Sequence, residues 1–442
     1  MLNYSYKTIL SVAVPLMVSS FIQSIVMITD SSFLSRYSTL AFDASGNAGL
    51  LYVSVFVALL GMSDAVQILI ARRIGEKNKI EVASIFFNSI LTIGFLASVL
   101  FLVLHLIMPS VLPLYAKHED ITLAQIEFLS VRSYALFFTL ISLPIQAFFF
   151  AIGKTWVVLI SALIIAVTNI FLDYYLIFGI SIFPEMGIKG AALASCIADG
   201  MGMLFLFTFL LFSRERKEFE LFKQISFNYN KIIQILNIGF PLFFQGFIAL
   251  ATWTIFFTWI EQIGKFELTV SQTIRSIYML AFVPIWGFSA TTKTYISQYL
   301  GAKKFSELII IQRRIQFLCL FFLFLFFHGA IFYPEKLVTL INPNHEFTEK
   351  SVAILQFICG SILIFGFVAI KFHTINGSGN TKVTFFIELI SVSIYLTCCY
   401  LFIKVFQWDI FWIWSVEYIY FLSLGLFSLS YLRFFDWKKK KV

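Results

Sequence analysis

The sequence predicts an all-α polytopic membrane protein of about twelve transmembrane helices, arranged as two parallel six-helix repeats. Three observations carry this: a hydrophobic excess, apolar runs of helix-spanning length, and local patterns that recur at one constant offset. Of the 442 residues, 60% are hydrophobic and 13% charged, and Phe alone occurs 55 times. An average soluble domain carries about 25% charge, because a globule in water needs a charged exterior. The excess points to lipid as the solvent. Inside a bilayer only helices and closed barrels satisfy the backbone, and the apolar runs show no period-2 alternation of the kind that marks a transmembrane barrel.

With ~20 apolar residues per crossing, helices are predicted over 8–32, 48–70, 84–108, 128–150, 156–178 and 187–212. A polar stretch from Ser213 to Lys231 comes next, containing Arg214, Arg216, Lys217 and Lys223. Six more helices are predicted over 232–259, 270–298, 309–333, 350–374, 384–404 and 409–432. The N-terminus carries Lys7 and then an apolar run, but that run is long, contains Pro15 and has no small-residue cleavage site. It reads as the first membrane helix rather than a signal peptide.

The net charge of +8 marks orientation rather than nucleic acid. With the N-terminus inside, 21 of the 32 Lys and Arg fall on inner loops and ends and 7 on outer loops; Arg132, Arg275, Lys293 and Lys371 fall within or beside helices. The positive-inside rule then puts both termini, including the basic run Lys438 to Lys441, in the cytoplasm. Cys196, Cys319, Cys359, Cys398 and Cys399 all lie in apolar segments, with no CxxC pair and no zinc spacing. His105, His118, His328, His345 and His373 are scattered, so no metal and no organic cofactor is expected.

A shift of 226 residues places Pro15-Leu16 on Pro241-Leu242 and Phe21-Ile22 on Phe247-Ile248. It also places Gly61 on Gly287, Gly75 on Gly301, and Gly153 and Thr155 on Gly379 and Thr381. Apolar coincidences are cheap in such a chain; turn glycines and helix prolines at one offset are not. Six helices per repeat give both copies one orientation, the arrangement of transporters that work about a central site. The expected domains are 1–220 and 221–442.

Charge in the bilayer core costs roughly 2.5–3.5 kcal/mol on insertion scales, so each intramembrane ionisable residue is a functional candidate. By depth at ~1.5 Å per residue, Asp30, Asn169, Asp173 and Ser195 reach a similar level in the outer half of the first repeat, with Asp199 one turn deeper than Ser195. Two carboxylates sharing a low-dielectric site cannot both ionise cheaply, and Pro15 gives the first helix a place to bend. Asp64 and Gln67, on the inner half of the second helix, and Asp199 are cavity or relay candidates. Arg275 and Glu417 share a level and are expected to form an ion pair. Glu261, Glu388, Lys293 and Lys371 are expected to snorkel from helix ends.

Several stretches resemble the multidrug and toxic compound extrusion (MATE) family of cation-coupled antiporters. They are Pro15 before the acidic run Asp30-Ser-Ser-Phe-Leu-Ser35-Arg36, Gln67 to Gly75 with its counterpart Leu300-Gly301-Ala302, and Gly153-Lys154-Thr155. The most specific is Phe183-Pro184-Glu185-Met186-Gly187-Ile188-Lys189-Gly190-Ala191-Ala192. Ser35 and Ser38 depart from two usual glycines, Ser195 from a common Thr, and Asn376-Gly377 from an Arg-Gly pair. The resemblance implies a MATE-like fold and a proton or sodium site at Asp30, Asn169 and Asp173. The helices over 232–259 and 350–374 lack the acids that some branches carry there, which favours a resemblance to the DinF-like branch. The expected protein is an antiporter, a monomer in the bacterial inner membrane, exporting amphipathic cationic small molecules bound between the repeats in exchange for H+ or Na+. The alternatives are a flippase for a lipid-linked precursor, for which central Arg and Lys are too few, and an intramembrane transferase, for which no loop carries a His/Asp constellation.

Overall fold

The computed structural model describes residues 1–115, 119–223 and 225–440. His118, and Lys441 of the terminal basic run, lie outside the described residues. Within them the protein is helical with no strand, and twelve helices are long and apolar enough to cross a membrane. The chain divides into two compact units, one of Val14–Phe243 and one of Met1–Ala13 with Phe244–Val442.

The helices that position the polar residues are α1 (Tyr6–Tyr37), α2 (Thr39–Gly75), α3 (Lys79–Leu102), α4 (Glu119–Arg132), α5 (Ala135–Ile152), α6 (Trp156–Phe178) and α7 (Gly187–Phe212). After them come α8 (Tyr229–Glu261), α9 (Lys265–Gly301), α10 (Leu308–Phe327), α11 (Thr348–Gly377), α12 (Thr381–Tyr400) and α13 (Val416–Phe434). The backbone differs from the sequence expectation at two places. The loop expected over 33–47 is helical except at Ser38, whose hydroxyl caps α2 by accepting from the Ala41 amide. The helix expected over 128–150 is interrupted at Ser133 and Tyr134, between α4 and α5.

The 226-residue repeat is visible in the backbone. α2 and α9 both have 37 residues and end at Gly75 and Gly301. After each, a lysine adopts the left-handed conformation: Lys77 at φ 59° and Lys303 at φ 58°. In one turn the Lys77 amide bonds the Ile74 carbonyl and the Asn78 amide that of Arg73; in the other, Lys303 bonds Leu300 and Lys304 bonds Tyr299. These bonds satisfy the last carbonyls of each helix. Gly153 and Gly379 likewise share a positive φ, 79° and 85°, after α5 and α11.

Each unit also anchors a segment that leads into a proline-containing helix. In one unit the N-terminal arm is held by Gln298, which accepts from the Leu2 amide at 2.8 Å, and by Arg314, which donates to the Tyr4 carbonyl at 2.8 Å. In the other, Asn88 donates to the Ser226 carbonyl at 3.2 Å and accepts from the Asn228 amide at 2.9 Å. Asn88 and Arg314 are 226 positions apart.

Glycine sets the closest helix approaches. A methyl at Gly190 of α7 would lie 2.6 Å from the Leu176 carbonyl oxygen of α6, and one at Gly202 would lie 2.4 Å from Ile165. The turn before α7 is closed by the Met186 amide on the Leu176 carbonyl at 2.9 Å. The run from Phe183 to Ala192 is thus the hairpin that clamps α7 to α6.

Several expected surface charges are interior. Glu388 is 4% exposed and Lys293 5%, so neither snorkels. Lys371 is half-buried and donates to Gln312 Oε1 at 2.8 Å. The expected Arg275–Glu417 ion pair does not form. Arg275 stacks on the Phe257 ring at 4.9 Å, and Glu417 accepts from Tyr278 and Tyr395. An aromatic face relieved Arg275 of the need for a carboxylate, and hydroxyl donors took its place at Glu417.

Outside the spans, Lys154 bonds Glu215 across the turn-bearing ends of α5 and α7. Burial opposes ionisation of Glu215, but the Lys154 hydrogen bond, its own helix-start amide and the Lys154 and Arg214 charges outweigh it. Its carboxyl therefore sits below the ordinary value of 4.5. A depressed value contributes stability that is present above the unfolded value and lost as pH falls through the folded one.

Two outcomes are expected from detergent-solubilised protein. Gly190→Ala lowers unfolding stability by about 1–3 kcal/mol, while Gly46→Ala, inside α2 where nothing lies within 4 Å of an added methyl, does not lower it and raises it by up to about 1 kcal/mol; thermal unfolding checks both. Glu215→Gln flattens the fall in stability seen in wild type as pH drops below the ordinary carboxylate value, read from melting temperatures across acidic buffers.

Candidate cation-coupling site

Asn169 and Asp173 lie four residues apart on α6, hence on one face, and that face is buried: 1% and 0% exposed. The glycine contacts of α7 bring Ser195 against it, and Asn169 Nδ2 donates to Ser195 Oγ at 3.2 Å. From α1, Asp30 adjoins Asp173, near enough for direct carboxyl–carboxyl interaction. The four residues that depth placed at one level are therefore brought together within the unit Val14–Phe243.

Two residues that sequence reasoning left unassigned complete the cluster. Arg132 at the end of α4 donates to Asp199 Oδ2 of α7 at 2.6 Å, and its guanidinium lies 4.2 Å from the ring centroid of Tyr52 on α2. The same guanidinium acts on both Asp30 and Asp173. Asp199 is thus the counter-ion of Arg132. The signal was available in the sequence: two opposite charges inside predicted helices of one repeat lower each other's insertion cost when paired.

Buried polar atoms without a hydrogen-bond partner gather here. They are Asp30 Oδ1, both carboxylate oxygens of Asp173, Asn169 Oδ1 and the Tyr52 hydroxyl. Native interiors leave few such atoms. Here four are oxygens that accept from a proton-bearing group or coordinate a cation. Arg132 is ion-paired with Asp199, so its effect on Asp30 is opposed by the Asp199 charge.

Asp64 and Gln67 sit elsewhere. Gln67 is 1% exposed and Asp64 half-buried, but Asp64 lies twelve residues along α2 from Tyr52, ~18 Å in helical rise. They are not part of the cluster. Pro15 lies within α1, where it removes one backbone donor, and its own carbonyl accepts from Ser19 Oγ at 2.8 Å. Among the described residues no group of His, Cys, Asp and Glu could hold a metal ion. His105, at 3.1 Å from Ser133 Oγ, packs on Phe101.

The MatE family model matches residues 15–175 and again 241–401, the same 226-residue offset read from the glycines and prolines. The chain belongs to the MatE family. The resemblance to the MATE family read from the sequence is borne out, and as a MatE protein the chain is a multi-pass membrane transporter, not an enzyme. Asp30, Tyr52, Arg132, Asn169 and Asp173 all lie within the first matched stretch. The chain is 27% identical over 455 residues to a probable multidrug resistance protein NorM of Thermotoga maritima, covering 99% of this chain and 94% of that protein. Among solved structures it is similar to the MATE transporter VcmN of Vibrio cholerae, with a TM-score of 0.89 at 17% identity over 98% of both chains. It is also similar to a MOP superfamily transporter from Pyrococcus furiosus, with a TM-score of 0.86 at 15% identity over 99% and 97% of the two chains. The twelve-helix fold read from the sequence is the fold of these neighbours.

Removing one partner of the Arg132–Asp199 pair leaves an uncompensated charge among helices. Arg132→Met is expected to cost roughly 3 kcal/mol, and the double variant Arg132→Met with Asp199→Leu to recover most of it. Melting temperatures of the two variants in one detergent check this.

Proposed function

We propose that this MatE transporter is an antiporter exporting amphipathic, cationic small molecules, including drugs and toxins, in exchange for H+ or Na+. Asp30, Asn169, Asp173 and Ser195 form the coupling site. One observation carries the reading: Asp30 and Asp173 adjoin, Asp30 Oδ1 and both Asp173 oxygens are buried with no hydrogen-bond partner, and the guanidinium of Arg132 is paired with Asp199. Such a pair stays electrically costly until it takes up a cation. The multidrug resistance name of the Thermotoga maritima relative supports a drug-like cargo.

Exchange arises from competition. A bound H+ or Na+ cancels one unit of the charge shared by Asp30 and Asp173 and stabilises one conformation; its departure restores that charge and favours uptake of cationic cargo. Pro15, which interrupts the hydrogen-bond ladder of α1 about 22 Å along the helix from Asp30, supplies a point at which α1 changes shape with the occupancy of the site. The transporter works by alternating access as a monomer, lies in the bacterial inner membrane, and keeps both termini in the cytoplasm, where the excess of basic loops is retained.

In proteoliposomes loaded with a fluorescent organic cation, an imposed gradient of protons or of sodium should drive efflux by wild type. Asp30→Asn and Asp173→Asn should each lose gradient-driven efflux by tenfold or more, a loss of about 1.4 kcal/mol or greater. Efflux by both variants at the wild-type rate would remove Asp30 and Asp173 from the coupling site, and wild type that moves nothing under either gradient would remove the antiport reading.

A further inference from the structure

A second set of buried acids lies in the other unit, on helices that the coupling reading does not use. Glu417, near the start of α13, is 2% exposed. Its Oε2 accepts from the Tyr278 hydroxyl of α9 at 2.8 Å and its Oε1 from the Tyr395 hydroxyl of α12 at 3.2 Å. Glu388 of α12, 4% exposed, accepts from the Tyr420 hydroxyl of α13 at 2.5 Å and is approached by the Gln245 side chain of α8. The rings of Tyr395 and Tyr420 meet at 5.7 Å between centroids, so the two carboxyl sites are contiguous.

The surroundings contain neutral donors and no cation. Facing the pair are Tyr278 from α9, Tyr395 and Cys399 from α12 and Tyr420 from α13. From α8 come Trp253 and Phe256, which pack on Tyr278 and Tyr395, and from the segment before α13 comes Trp414. Among the described residues no Lys, Arg or His pairs with either glutamate. Arg275, one turn from Tyr278 on α9, is turned onto Phe257. Independently, Ser391 Oγ is fully buried and has no hydrogen-bond partner. It stands one turn from Glu388 and one from Tyr395 on the same buried face of α12.

We propose that Glu388 and Glu417 form a proton-binding site of this unit, with Ser391 as an acceptor for the carboxylic proton of Glu388. Two carboxylates in contiguous, water-poor sites each make the other's charge more costly, and tyrosine hydroxyls alone do not compensate a full charge as a paired cation does. A proton needs no volume, which suits side chains packed among rings. A metal cation needs several ligands in a shell, and among the described residues no group of three or more His, Cys, Asp or Glu could hold one. At Glu417 the longer contact, to Tyr395, is the one that reverses: the carboxyl O–H donates and the hydroxyl oxygen accepts. The protons leave only when the packing of α9, α12 and α13 opens to water, which ties the charge of this site to the shape of its unit.

The test is infrared absorption of the full-length protein in lipid, recorded from acid to alkaline pH. Carbon-13 at the glutamate carboxyl separates glutamate from aspartate bands without any substitution. The expected result is a protonated-carboxyl C=O band at neutral pH that shifts with glutamate labelling, reduced in Glu388→Gln and in Glu417→Gln and retained in Asp30→Asn and Asp173→Asn. Its alkaline disappearance should move to higher pH in Tyr278→Phe, which removes a donor to the charged form. A neutral-pH carboxyl band with no glutamate component overturns the proposal and leaves the aspartate site untouched. Loss of the glutamate band on adding sodium at fixed pH overturns it in favour of a metal cation. An aspartate band missing while the glutamate band persists instead counts against protonation at Asp30 and Asp173 alone.

Discussion

Charge and unpaired polar groups are costly in hydrocarbon, and the rest of this structure depends on how that cost is met. Backbone groups are satisfied within helices, leaving side chains as the variable. The protein answers in three ways. Arg132 and Asp199 pair with each other, Arg275 lies on an aromatic face, and Glu388 and Glu417 take tyrosine hydroxyls. Asp30 and Asp173 receive none of these, which is why they stand apart chemically from every other buried acid described.

The polar arrangement depends on how closely helices approach, and glycine governs that. Gly190 and Gly202 let α7 lie against α6, so Asn169 meets Ser195 at hydrogen-bonding distance. Gly61 does the same for α2 where it crosses α8: an added methyl would lie 2.6 Å from the backbone at Leu242 and Phe243. Without hydrophobic attraction to drive helices together in lipid, close packing of small residues carries association. The motif from Phe183 to Ala192 is therefore structural in its immediate effect and functional through what it aligns.

The two repeats reuse one backbone with different chemistry. The turns after α2 and α9, and after α5 and α11, have matching dihedrals and matching hydrogen bonds. The acids do not match. The unit Val14–Phe243 concentrates carboxylates on α1, α6 and α7; the unit containing Phe244–Val442 places them on α12 and α13. Turn geometry is fixed by covalent and steric limits that every copy shares, whereas side-chain chemistry was free to diverge on the same frame.

The sequence by itself determined the number of crossings, the repeat offset and the level of Asp30, Asn169, Asp173 and Ser195, because apolar run length, turn glycines and helical rise are one-dimensional quantities. It missed the continuation of α1 and α2 around Ser38, since a helix of ordinary polarity outside the hydrocarbon has no hydropathy signal. It also misassigned Arg275 and Glu417, which share a depth but not a direction. Which side of a helix faces which neighbour decides partners, and depth is silent on it. Only the tertiary structure decided that Arg132 belongs to Asp199 and Tyr52, that Asp30 adjoins Asp173, and that Glu388 is interior. Each of these depends on helix rotation, which glycine contacts and aromatic packing set across residues far apart in the chain.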